Sequence, residues 1–220
     1  RCPPRSTTRL TQSGRYRTIR VDQVGRSLRI MTSSSPDAAP EPLVDPAITP
    51  DDKDWTWTLR ERCPDCGFLA TDVEPADIAR HVTASTAPWE QVLTRSDATA
   101  RPEPATWSPL EYACHVRDVC RLFEQRARLM LEQDAPTFDN WDQDETAVAD
   151  RYGEQDPAVV ARELIEAAAG LSGVYASVAG EDWERTGIRS NGSLFTVATL
   201  GQYGLHDLVH HLWDVGVDLG

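Results

Sequence analysis

Trp107-Ser108-Pro109-Leu110-Glu111 opens the most strongly specified helix of the chain, and a long helix with one apolar face must be covered by other elements to be stable. Ser108 is an N-cap, Pro109 suits the first turn, Glu111 closes a capping box, and Trp107 is placed to staple onto Tyr112. Tyr112, Val116, Val119, Phe123, Ala127 and Met130 then recur at helical spacing, which predicts a helix from Ser108 to about residue 133. Three further helices follow from the same periodicity. One covers about 75 to 96, with Ile78, Val82, Ser85, Trp89 and Val92 inward and a kink expected at Pro88. One begins at Asp156-Pro157 and carries Val160, Leu164, Ala168, Leu171 and Val174 to about residue 178. The last spans about 195 to 216 on Leu205, Leu208, Leu212 and Val215. No segment shows strand alternation. The polar stretch Asp134 to Gln155, holding Phe138, Trp141 and Tyr152, exceeds what a bundle connection needs and predicts a lid or binding loop. The expected class is all-α, a four-helix bundle with one long crossover connection.

The chain has 220 residues and a formal net charge of -13, enough length to bury a core without staples. Charge is unevenly spread. Residues 1 to 30 hold eight arginines against Asp22 alone, which leaves the remainder at -20. So acidic a surface repels phosphate backbones and anionic lipid, which argues against nucleic-acid and membrane partners and favours a small-molecule substrate. No apolar run approaches a membrane span. Residues 1–54 are expected to be a disordered N-terminal extension, Ser-, Pro- and Asp-rich from 31 to 54, with the domain occupying 55–220. Because Met31-Thr-Ser-Ser-Ser-Pro reads as an ordinary start, residues 1 to 30 are read as translated upstream sequence rather than a functional leader. The five cysteines are an odd and sparse set, which points to a reducing cytoplasm.

His206 and His210 stand four apart on the last helix, a spacing that stacks two imidazoles about 5 to 6 Å apart and suits two ligands of one ion. His115 lies near the core stripe of the Ser108 helix. If the two helices face one another, His115, His206 and His210 give three neutral imidazoles and an open fourth position, the ligand count of a catalytic zinc site. Isolated histidines packed at the core edge are the alternative. Asp118, one turn from His115, and Asp207, next to His206, are candidate carboxylate supports for ligand histidines, or else solvated surface charges. His211 is rotated away from His206 and His210 and is set aside.

The pattern His115-Val116-Arg117-Asp118 followed by His206-Asp207-Leu208-Val209-His210-His211, with Trp107-Ser108-Pro109-Leu110-Glu111 ahead of the first histidine, resembles the DinB superfamily over roughly residues 75 to 216. The resemblance implies a four-helix bundle that binds a divalent metal through three histidines, here His115, His206 and His210. Zinc is the first choice, with nickel or iron as alternatives. It also implies an activity, since the superfamily includes thiol-dependent S-transferases and mycothiol-dependent maleylpyruvate isomerases. Trp57 to Phe68 is similar to a subgroup loosely named after methyltransferases, but no glycine-rich cofactor loop supports methyl transfer.

Cys63-Pro64-Asp65-Cys66-Gly67 is half of a four-cysteine zinc ribbon with no second pair. Inert thiols, a second metal or subunit contact, and redox activity all remain open, with His81 as a conceivable further ligand. Cys114 and Cys120 read as small buried apolar residues. The leading function is a divalent-metal-dependent transferase in which a low-molecular-weight thiol attacks a small electrophile. One lysine against 21 arginines hints at GC-rich coding, and in a mycothiol-producing bacterium mycothiol is the natural thiol. Arg189, Asn191, Trp141, Tyr152 and Tyr203 are candidate pocket residues. A non-catalytic metal-binding or small-ligand-binding bundle and a metal-dependent hydrolase are the alternatives, and a homodimer through an exposed helix face is compatible with any of them.

Overall fold

A computed structural model describes residues 53–217 together with Asp45, Ala47 and Ile48. The expectations for residues 1–44 therefore lie outside the described residues. Helix α1 is Ile78–Thr86 and α2 is Trp89–Val92. Pro88, which lacks an amide donor, separates them, so the expected kink is a break. Helix α3 is Pro109–Glu132. Both halves of its capping box form, with Glu111 N–H donating to Ser108 Oγ at 3.3 Å and Ser108 N–H donating to Glu111 Oε2 at 2.8 Å. Helix α4 is Gln143–Ala149, α5 is Pro157–Ser177 behind an Asp156 cap, and α6 is Val197–Asp214 behind a Thr196 cap.

Helix α3 packs against α5 and α6, and α1 packs against the same two, so α1 and α3 occupy opposite corners of a four-helix bundle. Leu110, Val116, Leu164, Leu200, Leu208 and Leu212 fill the interior with essentially no exposure, each burial contributing about 1.5 to 3 kcal/mol. Gly204 lets α6 approach α3 closely, because a Cβ there would lie 2.7 Å from the Phe123 ring. Among the described residues no helix is long and apolar enough to cross a membrane.

The structure adds a small sheet that periodicity did not predict. Strand β1 is Thr137–Phe138, β2 is Thr186–Arg189 and β3 is Leu194–Thr196, ordered β1-β2-β3 with β1 parallel to β2 and β2 antiparallel to β3. Strands this short carry too few alternations to register against helical signals. The turn between β2 and β3 contains Asn191-Gly192, with Gly192 at φ +93°, which is a strong short-range hairpin signal. Both β1 and α4 lie within the long crossover, as does Trp141, which stacks on His115.

Candidate metal centre

Successive residues of a helix point about 100° apart, so neighbouring pairs of α6 address different partners. His206 and His210 face the segment that precedes α1, whereas Asp207 and His211 face α3. The donor atoms of Cys63, Cys66, His206 and His210 all lie within 4.8 Å of one another. Those of His115, Asp207 and His211 do the same. Ligands of one tetrahedral ion stand about 3.3 to 3.8 Å apart, given bonds of ~2.0 to 2.3 Å, so small side-chain adjustments would bring either group into ligating range.

Of the three histidines singled out above, then, His206 and His210 are neighbours, with rings 5.0 Å apart, and they gather with the two cysteines. His115 gathers instead with His211, their ring centroids 4.8 Å apart and nearly perpendicular. His211 points away from His206 and His210. The face it does occupy is the one packed against α3.

His115 is fully buried, and neither ring nitrogen has a hydrogen-bond partner. Burial, and secondarily the neighbouring His211, hold its pKa well below the ordinary 6.5, so the ring is neutral and offers a lone pair. Trp141 stacks on it at 5.3 Å and 10°, and Trp107 lies 5.5 Å away. An orphaned imidazole in a dry aromatic slot is costly unless something binds it. His211 is oriented from behind. Its Nδ1 is 2.8 Å from Asp214 Oδ2, while Nε2 faces Asp207 Oδ1 at 3.8 Å. With the proton on Nδ1, the Nε2 lone pair points into the group, the arrangement in which a carboxylate fixes the tautomer of a metal-ligating histidine. His115, His211 and Asp207 therefore fit a divalent ion.

Asp118, expected to support His115, is engaged elsewhere. It pairs with Arg117 and Arg121 and accepts the Tyr152 hydroxyl at 2.7 Å. This network continues through Arg117 to Glu163 and braces α3 against α5.

The second group centres on a tight loop. Gly67 N–H donates to Cys63 O at 3.0 Å and Cys63 N–H to Phe68 O at 2.8 Å, with Gly67 in the left-handed region at φ +73°. Cys63 Sγ is 3.5 Å from His210 Nδ1. His206 is buried with Nε2 unpartnered, and burial, followed by His210 and His211, lowers its pKa to about 3. Trp55 packs on both rings at 5.5 and 5.6 Å. Burial pushes the Cys66 thiol up to about 12, and it does the same to Cys114 and Cys120 inside α3.

A cleft of about 420 Å³ opens over both groups, walled by Tyr112, Asp207, His210, His211 and Asp214 among others. A second cleft, of about 430 Å³, adjoins it across Lys53, Trp55, Gln143, Asp144 and Tyr203. Arg189, Asn191 and Trp141 line that compartment, as does Tyr203, so four of the five expected pocket residues meet there. Tyr152 lies instead on a separate cavity beside Arg101 and Glu111.

A four-helix bundle that gathers imidazole and carboxylate donors between two facing helices belongs to a class in which metal is bound between helices. The chain belongs to the DinB superfamily, whose family model matches residues 79–215. Among solved structures it is similar to YfiT from Bacillus subtilis, described as a probable metal-dependent hydrolase with an unusual four-helix bundle topology. That likeness has a TM-score of 0.54 at 17% identity and covers 63% of this chain and 81% of the other, and it speaks for the fold. No curated protein matches the chain.

Proposed function

We propose that the chain is a metal-dependent enzyme acting on a small molecule, with the ion held by His115, His211 and Asp207. The observation that carries this reading is the doubly orphaned, fully buried His115 ring facing His211 and Asp207. A divalent ion held there supplies Lewis-acid chemistry, making a thiol or water nucleophilic near neutral pH. Two neutral imidazoles and one carboxylate leave such a site a net positive charge and an open position. The chain's own residues do the rest. Asp214 keeps the His211 lone pair aimed inward, while Trp107 and Trp141 exclude water from His115.

The reaction we favour is transfer of a low-molecular-weight thiol of the mycothiol kind to an electrophile. Two adjoining compartments with a shared wall suit two substrates, the thiol over the metal group and the electrophile near Arg189. Hydrolysis is the second reading, and Asp207 favours it, because a ligand set of two histidines and a carboxylate is one that activates water in metallohydrolases. Among the described residues the thiols of Cys63, Cys66, Cys114 and Cys120 are free, which suits a reducing compartment. The test is to load the full chain with cobalt, titrate low-molecular-weight thiols, and assay ester and amide hydrolysis in parallel. Thiol transfer predicts a spectral change on adding thiol that His115→Ala abolishes. Activity that persists in metal-free protein, or a metal content indifferent to both His115→Ala and His211→Ala, would overturn the proposal.

A further inference from the structure

We propose that Cys63, Cys66, His206 and His210 form a second, closed zinc site that pins the segment before α1 onto α6. Four observations converge on it. The four donor atoms already lie within 4.8 Å of one another, although the cysteines and histidines come from opposite ends of the domain. The loop carrying the thiols is preshaped, closed by the Cys63–Phe68 and Cys63–Gly67 backbone bonds and by Arg62 donating to Gly67 O at 2.6 Å. His206 Nε2 is buried without a hydrogen-bond partner. Cys63 is 1% exposed, and His206, 3% exposed, packs against the Trp55 and Phe68 rings, so an unpaired charge at either would be expensive.

The charge count resolves that cost. Two thiols release their two protons on binding and become thiolates, and with two neutral imidazoles they balance the charge of one zinc ion. The resulting site is neutral and four-coordinate, so it leaves no position for substrate. Its work is positional. It holds Trp55 and Asp65, both of which wall the cleft over the two donor groups, against the α6 turn that also carries Asp207 and His211. Zinc is preferred over harder ions because two of the four donors are sulfur.

The test uses the full chain loaded with zinc, its coordination shell read by X-ray absorption in the His115→Ala variant, which removes a ligand of the other group. The expected shell has two sulfurs at ~2.3 Å and two imidazole nitrogens at ~2.0 to 2.1 Å. Cys66→Ser should lose this ion alone, and with it protection of the exposed Arg60 and Arg62 from trypsin, with cleavage there at least ~10-fold faster. A shell without sulfur in His115→Ala, or full metal content in Cys66→Ser, would overturn the inference. If Cys66→Ser fails to fold, the shell in His115→Ala still decides. Failure of the catalytic proposal looks different, since there Cys66→Ser would bind no metal while His115→Ala kept its full complement.

Discussion

The two donor groups that α6 helps to build differ in donor number, in donor type and in the elements they join, although both lie under one cleft. The Cys63–Cys66–His206–His210 group supplies four donors, two of them sulfur, from a loop and a helix. The His115–Asp207–His211 group supplies three, none of them sulfur, from two packed helices. A filled tetrahedron anchors chain, whereas an incomplete one leaves room for a reactant. Rotation by a single residue, from His206 to Asp207 and from His210 to His211, separates the two environments.

The largest expected effect tests whether the groups are independent. His115→Ala should abolish metal-dependent turnover and weaken metal binding at its own group by more than ~100-fold, since losing a ligand exceeds the roughly 10- to 100-fold cost of losing a ligand's support. Metal bound to the cysteine group should be unchanged. Calorimetric titration of the apo-protein with zinc, before and after the substitution, reads both sites in one experiment. Asp214→Asn comes next. It keeps the shape but takes away the carboxylate that fixes the His211 tautomer, so metal affinity should fall roughly 10- to 100-fold at the open group alone. An equal loss at both groups would mean that α6 transmits changes between them.

Gly204→Ala attacks the helix contact rather than the donors. The added methyl would meet the Phe123 ring at 2.7 Å, and the strain should cost about 1 to 3 kcal/mol in denaturant unfolding. Pushing α6 from α3 separates His211 from His115 but carries His206 and His210 along as a unit. The open group should therefore lose affinity before the closed one does.

These outcomes rest on features of unequal visibility in the sequence. The cap at Ser108 and the break at Pro88 are local, so side-chain chemistry within a few residues determines them. The four-residue step from His206 to His210 is local too, and the two rings are neighbours, 5.0 Å apart and tilted by 42°. Their partners are not local. Nothing in the spacing of Cys63 and Cys66 says that they close on α6, which requires the folded path of the chain to bring its ends together. Nothing local marks the partner of His211, because an interior bundle helix meets neighbours on several sides. Asp118 is one turn from His115 in sequence, but in the fold its carboxylate is taken by Arg117, Arg121 and Tyr152. The β2–β3 hairpin was legible at Asn191-Gly192, while the parallel pairing of β1 with β2 joins distant segments and carries no local sign.

The smallest effect concerns the support of α3. Glu111 stands one turn before His115, and burial alone would raise its pKa. Hydrogen bonds from Arg101 and Ser108 outweigh that and hold it below the ordinary 4.5. A carboxylate depressed on folding stabilises the protein fully above its unfolded value, and that contribution is lost as pH falls through the lower folded value, because the unfolded chain binds the proton first. Glu111→Gln keeps much of the shape but not the charge, so it should cost about 1 to 2 kcal/mol near neutral pH. The gap between mutant and parent should then close as the pH drops below 4.5. Thermal melts across that range provide the check, and a gap that stays constant with pH would mean that the ionised cap contributes nothing. Because the capped turn holds His115 and not the cysteines, any weakening of metal binding in Glu111→Gln should be confined to the open group and amount to only a few-fold, about 1 kcal/mol or less.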